Sequence, residues 1–185
     1  VSAEVIGVKL RLQKTSNTSQ PLMEDLKYPI GGLPSVGRAL TAEERTVRIA
    51  AIEGHPGNMR KAVSGLTEEQ LNTPYRDGGW TVRQVVHHLV DSHLIAYFWF
   101  KMAVTQDCPT IQTYQPAVWA ELADGKSASI EASLAILDGL HSRWVSFLRA
   151  LNAEQFDRKL EHPRHGMLTV DRYLDIFGWH SPHHE

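Results

Sequence analysis

Histidine is the residue type on which chemistry could be built in this sequence. Ten are present, and six of them fall in two clusters: His87, His88 and His93, then His180, His183 and His184. A neutral imidazole offers a lone pair at physiological pH, which makes it the commonest metal ligand among side chains. Two imidazoles four residues apart on a helix stack on one side and can converge on a single ion. A third, from elsewhere in the fold, would leave a fourth position open, the pattern of catalytic rather than closed structural sites. Water bound there would fall in pKa from 15.7 toward about 7.

Which histidines face inward can be tested by helical period, at roughly 100° per residue. Val170, Tyr173, Leu174 and Phe177 mark the apolar stripe of the last helix. His184 falls roughly 20° from its centre, His180 roughly 60° and His183 about 120°, which puts His183 toward solvent. In the earlier cluster the stripe is Val82, Val85, Val86, Leu89, Ala96 and Phe100. It turns His87 outward, puts His93 nearest the centre and leaves His88 at the border. Period alone therefore favours His93 over His88, although a border position suits a ligand reaching into a cleft between helices. A single inward histidine is more commonly a hydrogen-bonded core residue than a ligand. Pro182 also stands between His180 and His184, where it removes an amide donor and favours a kink.

Other candidates are weaker. Asp91 and Glu185 could serve as bases or as acceptors behind the ligands, yet a surface carboxylate is the commoner role. Arg76 could bind a substrate carboxylate or simply pair with Asp77. Cys108 lacks an activating histidine nearby in sequence. Trp80, Trp99, Trp144 and Trp179 read as core aromatics.

The elements that must position these residues are helical. Thr41-Ala42-Glu43-Glu44, Thr67-Glu68-Glu69-Gln70 and Thr81-Val82-Arg83-Gln84 are capping boxes, the first and third opening helices and the second a short turn. The first helix would run to about Leu66, kinked or interrupted at Gly54-His55-Pro56-Gly57. The third box opens a long helix to about Gln106. Cys108 to Gln115 reads as a loop, and Pro116 starts a short helix through Leu122. Asp124-Gly125-Lys126-Ser127 breaks the chain. A helix from about Ser129 to Leu151 follows, with Ile130, Leu134, Leu137, Leu140, Trp144, Phe147, Leu148 and Leu151 at helical spacing. Leu160 to Leu168 is an irregular connection or a small hairpin, and Thr169 caps a last helix. Four principal helices with no convincing strand pattern give an all-α four-helix bundle. Residues 1–27 read as a disordered or extended arm, and 28–185 as one domain.

Bulk properties exclude rather than identify. The 185 residues are 42% hydrophobic, enough to bury a core without disulfides, and Cys108 is the single cysteine. A net charge of -2 offers no electrostatic case for nucleic acid or an anionic membrane. No apolar run approaches the roughly 20 residues of a transmembrane span, and the polar start lacks a secretory h-region. The expectation is a cytoplasmic protein.

The run Thr73-Pro74-Tyr75-Arg76-Asp77-Gly78-Gly79-Trp80-Thr81-Val82-Arg83-Gln84-Val85-Val86-His87-His88-Leu89, followed by Asp91-Ser92-His93, resembles the YfiT branch of the DinB-like family, as does the ending Trp179-His180-Ser181 with His183-His184. The likeness extends over roughly Tyr28 to Glu185. It implies an up-down-down-up bundle holding one divalent ion, zinc or nickel, on His88, His180 and His184, and so it selects His88 where period left the choice open. It further implies a homodimer and a metal-dependent hydrolase acting on a small molecule. The wider family also implies an alternative, a thiol S-transferase that activates a low-molecular-weight thiol on the metal. The absence of an evident acid/base partner motivates a third expectation, a non-catalytic metal-binding stress-response module. One departure is that the sequence stops at Glu185, where the last helix of the family continues.

Overall fold

The computed structural model describes residues 28–33 and 38–184. The expected N-terminal arm and Glu185 lie outside the described residues. All three capping boxes form as expected: Thr41, Thr67 and Thr81 each accept from the backbone amide three residues on, and Glu44, Gln70 and Gln84 return the bond. They open helices α1 (Ala42–Val63), α2 (Glu68–Leu71) and α3 (Val82–Thr105). Next come α4 (Pro116–Trp119), α5 (Ala123–Ser127), α6 (Ile130–Arg149), α7 (Ala153–Phe156), the hairpin β1 (Lys159–His162) and β2 (Gly166–Thr169), and α8 (Val170–His183).

Two local expectations need correcting. Gly54-His55-Pro56-Gly57 does not interrupt α1, which runs through Pro56 as one helix. Proline costs a helix one hydrogen bond, and the packing of both flanking turns holds the helix across that gap. Pro182 also lies inside α8. Asp124-Gly125-Lys126-Ser127 is not a break but most of α5, where Gly125 lies so close to the Trp119 and Ala120 carbonyls that a Cβ would sit 3.1 Å from each. Of the two readings for Leu160 to Leu168, the hairpin is the one observed, with Leu160 opposite Leu168 and Gly166 turning at a φ of 65°.

Side-chain pairings give the directions of the four long helices. Arg83 reaches Ala128, His87 reaches Ser133 and His93 reaches His141, so α3 and α6 run parallel. Arg60 pairs with Asp138 and Glu53 with Arg149, so α1 and α6 are antiparallel. Asp171 pairs with Arg45 and Asp175 with Arg48, so α8 runs with α1. The result is an up-down-down-up four-helix bundle, with the 106–129 connection carrying the chain back along α3.

The α1–α8 pairs have buried carboxylates and partly exposed arginines. The Asp171 carboxylate, 1% exposed, accepts from the Leu40 amide at 2.5 Å and from Arg45 Nε at 2.6 Å. Asp175 accepts from Arg48 Nε at 2.8 Å and from Arg172. Breaking a buried pair from one side costs about 3–5 kcal/mol, so these contacts hold α8 in a single register.

The apolar interior has two parts. One gathers around Phe100, Trp144, Tyr173 and Leu174, the other around Met59, Val86, Leu89, Leu134 and Leu137. Each fully buried side chain of this size contributes about 1.5–3 kcal/mol. His55, His93 and His141 fall between the two parts along their helices and are themselves buried. A polar layer thus crosses the core where α8 delivers His180.

Candidate metal centre

Two long helices bring three imidazoles together. His88 comes from the first half of α3, and His180 and His184 from the last turn of α8 and its C-cap. One nitrogen of each ring lies within 4.8 Å of the others, and all three rings are partly buried. The ring centroids of His180 and His184 are 4.7 Å apart, and His88 lies 5.7 Å and 5.4 Å from them. Among the described residues, this is the group of histidine, cysteine and carboxylate side chains with the spacing to hold a metal ion.

Electrostatics favour the lone-pair form. Burial pushes His88 down to about 4. His180 and His184 are held well below the ordinary histidine value, first by burial and then by neighbouring histidines. Neutral imidazole is the form a cation needs. Points within 4.8 Å of one another fit inside a circle of radius about 2.8 Å, so the rings need close by less than about 1 Å to reach the roughly 2.1 Å of a zinc–nitrogen bond. The donor set fits a divalent transition ion.

The remaining histidines sort differently. His93, which helical period favours, is fully buried, with both ring nitrogens engaged: Nδ1 lies 2.9 Å from His141 Nε2 and Nε2 lies 3.0 Å from His180 Nδ1. It is a packed, hydrogen-bonded core residue with no lone pair to spare. His87, expected outward, is half-buried instead, with Nδ1 2.8 Å from Ser133 Oγ and Nε2 3.3 Å from the Ala128 carbonyl. His183, expected toward solvent, is half-buried with its ring stacked on Trp179 at 4.4 Å. Asp91 does not join the triad; it lines a cavity of about 350 Å³ together with His87, His88, Trp119, Asp124 and Ser133. Burial and the nearby Asp124 raise its carboxyl to about 6. Arg76 lies over the Tyr75 ring and donates to the Asp77 carbonyl, a structural arrangement. Cys108 sits at a φ of 44°, with Sγ 3.3 Å from Met167 Sδ and no histidine beside it in sequence.

Two neighbours of the cluster are not apparent from the sequence reading. Tyr114 Oη lies 3.1 Å from His88 Nδ1, which leaves His88 Nε2 for another partner. Tyr114 belongs to a loop without period, and no sequence signal marks it. His141 was findable, because it continues the α6 stripe of Leu134, Leu137 and Trp144. Of the tryptophans, Trp144 is fully buried, while Trp80 packs its ring 4.7 Å from His88.

A family model for the DinB superfamily matches residues 51–185. YfiT of Bacillus subtilis (strain 168) is 44% identical over 161 residues, covering 86% of this chain and 90% of its own. A protein of Bacillus cereus (strain B4264), provisionally named a metal-dependent hydrolase, is 44% identical over 162 residues, covering 88% and 92%. The solved structure of YfiT, described as a probable metal-dependent hydrolase with an unusual four-helix bundle topology, superposes with a TM-score of 0.83 at 43% identity, covering 86% of this chain and 91% of that one.

Proposed function

The chain belongs to the DinB superfamily, and we propose that it is a metal-dependent hydrolase holding one divalent ion on His88, His180 and His184. The observation that carries this reading is the convergence of three neutral imidazoles from α3 and α8 within 4.8 Å. Three protein ligands on zinc or nickel leave room for water, whose pKa such an ion lowers toward about 7 while it polarises a substrate oxygen.

The residues of this chain supply position and dryness. His88 is oriented by Tyr114 on its Nδ1 side and by Trp80 against its ring. His180 is held from the core by His93. The cavity lined by His88 and Asp91 reaches the cluster from the His88 side, and Asp91, raised to about 6, lines it as a carboxyl that titrates near neutral pH. Leu94 and Phe98, exposed one turn apart on α3, offer an apolar patch for a homodimer. No helix among the described residues is long and apolar enough to cross a membrane.

The test is elemental analysis after extensive dialysis, on the wild type and on His184→Ala. The expected result is about one zinc or nickel per wild-type chain and none in the variant. Metal-free wild-type protein after refolding with either ion would end this reading. Ester or amide cleavage that follows metal content, without added thiol, is the result expected of a hydrolase.

A further inference from the structure

We propose that the Ile52 carbonyl, acting through His141 and His93, fixes the tautomer of His180 and so turns its Nε2 lone pair toward the metal. The inference rests on the metal reading above, and it makes His93 and His141 positioning residues rather than ligands.

The chain of bonds starts at a proline. In a regular helix the Ile52 carbonyl would accept the amide N–H of residue 56, but Pro56 has none. His141 Nδ1 occupies that carbonyl instead, at 2.5 Å. A carbonyl only accepts, so the proton of His141 is on Nδ1. A neutral imidazole carries one N–H, which leaves His141 Nε2 as an acceptor. His93 Nδ1, 2.9 Å away, must then donate to it. That leaves His93 Nε2 as an acceptor, and His180 Nδ1, at 3.0 Å, donates in turn. The nitrogen remaining on His180 is Nε2, unprotonated, on the ring that faces His88 and His184.

The opposite tautomer at His180 would set two lone pairs against each other somewhere along this line. Inside a dry core that leaves a buried polar group unsatisfied, a cost no solvent repays. His141 is 2% exposed, and burial holds it down to about 4, so the anchor ring stays neutral. His55 packs against both intermediate rings, 5.2 Å from His93 and 5.5 Å from His141, and closes the layer from the α1 side. Metal-bound histidines commonly give their second N–H to a backbone carbonyl directly. Here the carbonyl acts two imidazoles away, so the ligand is set from the centre of the bundle.

The test reads tautomers and metal affinity separately. Long-range proton–nitrogen NMR spectra of the chelator-treated wild type should show His93, His141 and His180 all protonated on Nδ1. His180 protonated on Nε2 would overturn the proposal. Competition titration of zinc against a chromophoric chelator is then compared among the wild type, His141→Leu and His141→Gln, with helicity checked by circular dichroism. The leucine variant removes the acceptor for His93, whereas glutamine keeps one. The expected result is zinc binding weakened 10–100-fold in His141→Leu and largely restored in His141→Gln. A folded His141→Leu that binds zinc as the wild type does would also overturn it; if that variant fails to fold, the wild-type spectrum decides. Wild-type protein that shows the expected tautomers but binds no zinc would sink the metal reading and leave the tautomer chain standing.

Discussion

Acidifying the metal-free protein should remove stability well above the pH at which most carboxylates titrate. His88 and His141 are both held down to about 4 by burial, from an ordinary value of 6.5. Where the folded-state pKa of a base is depressed, the unfolded chain takes up the proton first. Their contribution is therefore complete above about 6.5 and is lost as the pH falls toward 4. A gap of about 2.5 units is worth about 3 kcal/mol per ring, of which about 1 kcal/mol is lost between about pH 6.5 and 5.5. The two rings together remove about 2 kcal/mol over that unit, and His93 and His180, pushed the same way by burial, add to it. Asp91 works in the opposite sense. Its carboxyl is raised to about 6 by burial and by Asp124, so acid relieves its penalty and offsets part of the loss, an effect that solvent screening keeps small at this half-exposed site. Glu44, held at about 2 by Arg38 and the Thr41 amide, loses its contribution only below 4.5, outside this window. The assay is urea unfolding with EDTA at steps across this range. With a slope of about 2 kcal/mol per molar, the midpoint should fall by about 1 M or more. Asp91→Asn should steepen the fall. A midpoint that stays level would mean that the histidine layer is not neutral and buried, and the electrostatic account of the site would fail with it.

Two substitutions test the supports of the site. Gly178→Ala puts a Cβ 2.5 Å from Arg48 Cδ and 2.8 Å from Arg48 Cβ, two residues before His180. The Arg48 Cβ is fixed to its helix, so overpacking of about 1–3 kcal/mol should exceed the roughly 1 kcal/mol that alanine gains in helix propensity. Thermal unfolding should show a melting point lower by several degrees, and an unchanged or higher one contradicts the packing argument. Tyr114→Phe removes the hydroxyl 3.1 Å from His88 Nδ1. Zinc affinity should fall about 10-fold with the unfolding midpoint little changed; equal affinity would show that His88 needs no such support.

The bundle was legible because its signals are local. Capping boxes mark the starts of α1 and α3, and a helical period marks α3, α6 and α8, to within a few residues. What lay beyond local rules were features decided by a neighbour. Pro56 reads as a kink or an interruption, and α1 continues through it. Asp124-Gly125-Lys126-Ser127 reads as a loop, yet the adjacent backbone of Trp119 and Ala120 packs it into a helical turn. The pairing of Asp171 and Asp175 with α1 depends on residues more than a hundred positions away, which no window along the sequence can join.

The site shows what helical period measures on α3. A hydrophobic stripe measures burial, and the most buried histidine on it is His93. Full burial obliges both ring nitrogens to find protein partners, and His93 has them in His141 and His180, so nothing remains for an ion. A ligand must keep one nitrogen uncommitted at the edge of the packed layer, which is the border position of His88. Centrality on an apolar face therefore counts against ligation once a second histidine is within reach. On α8 four-residue spacing stacks His180 and His184 on one side, and only Nδ1 of His180 is taken by the core. Pro56 belongs to the same logic. As a property of its own helix it is a defect, but by withholding an N–H it leaves Ile52 an open acceptor at the one place where three inward histidines need a fixed end to their hydrogen bonds.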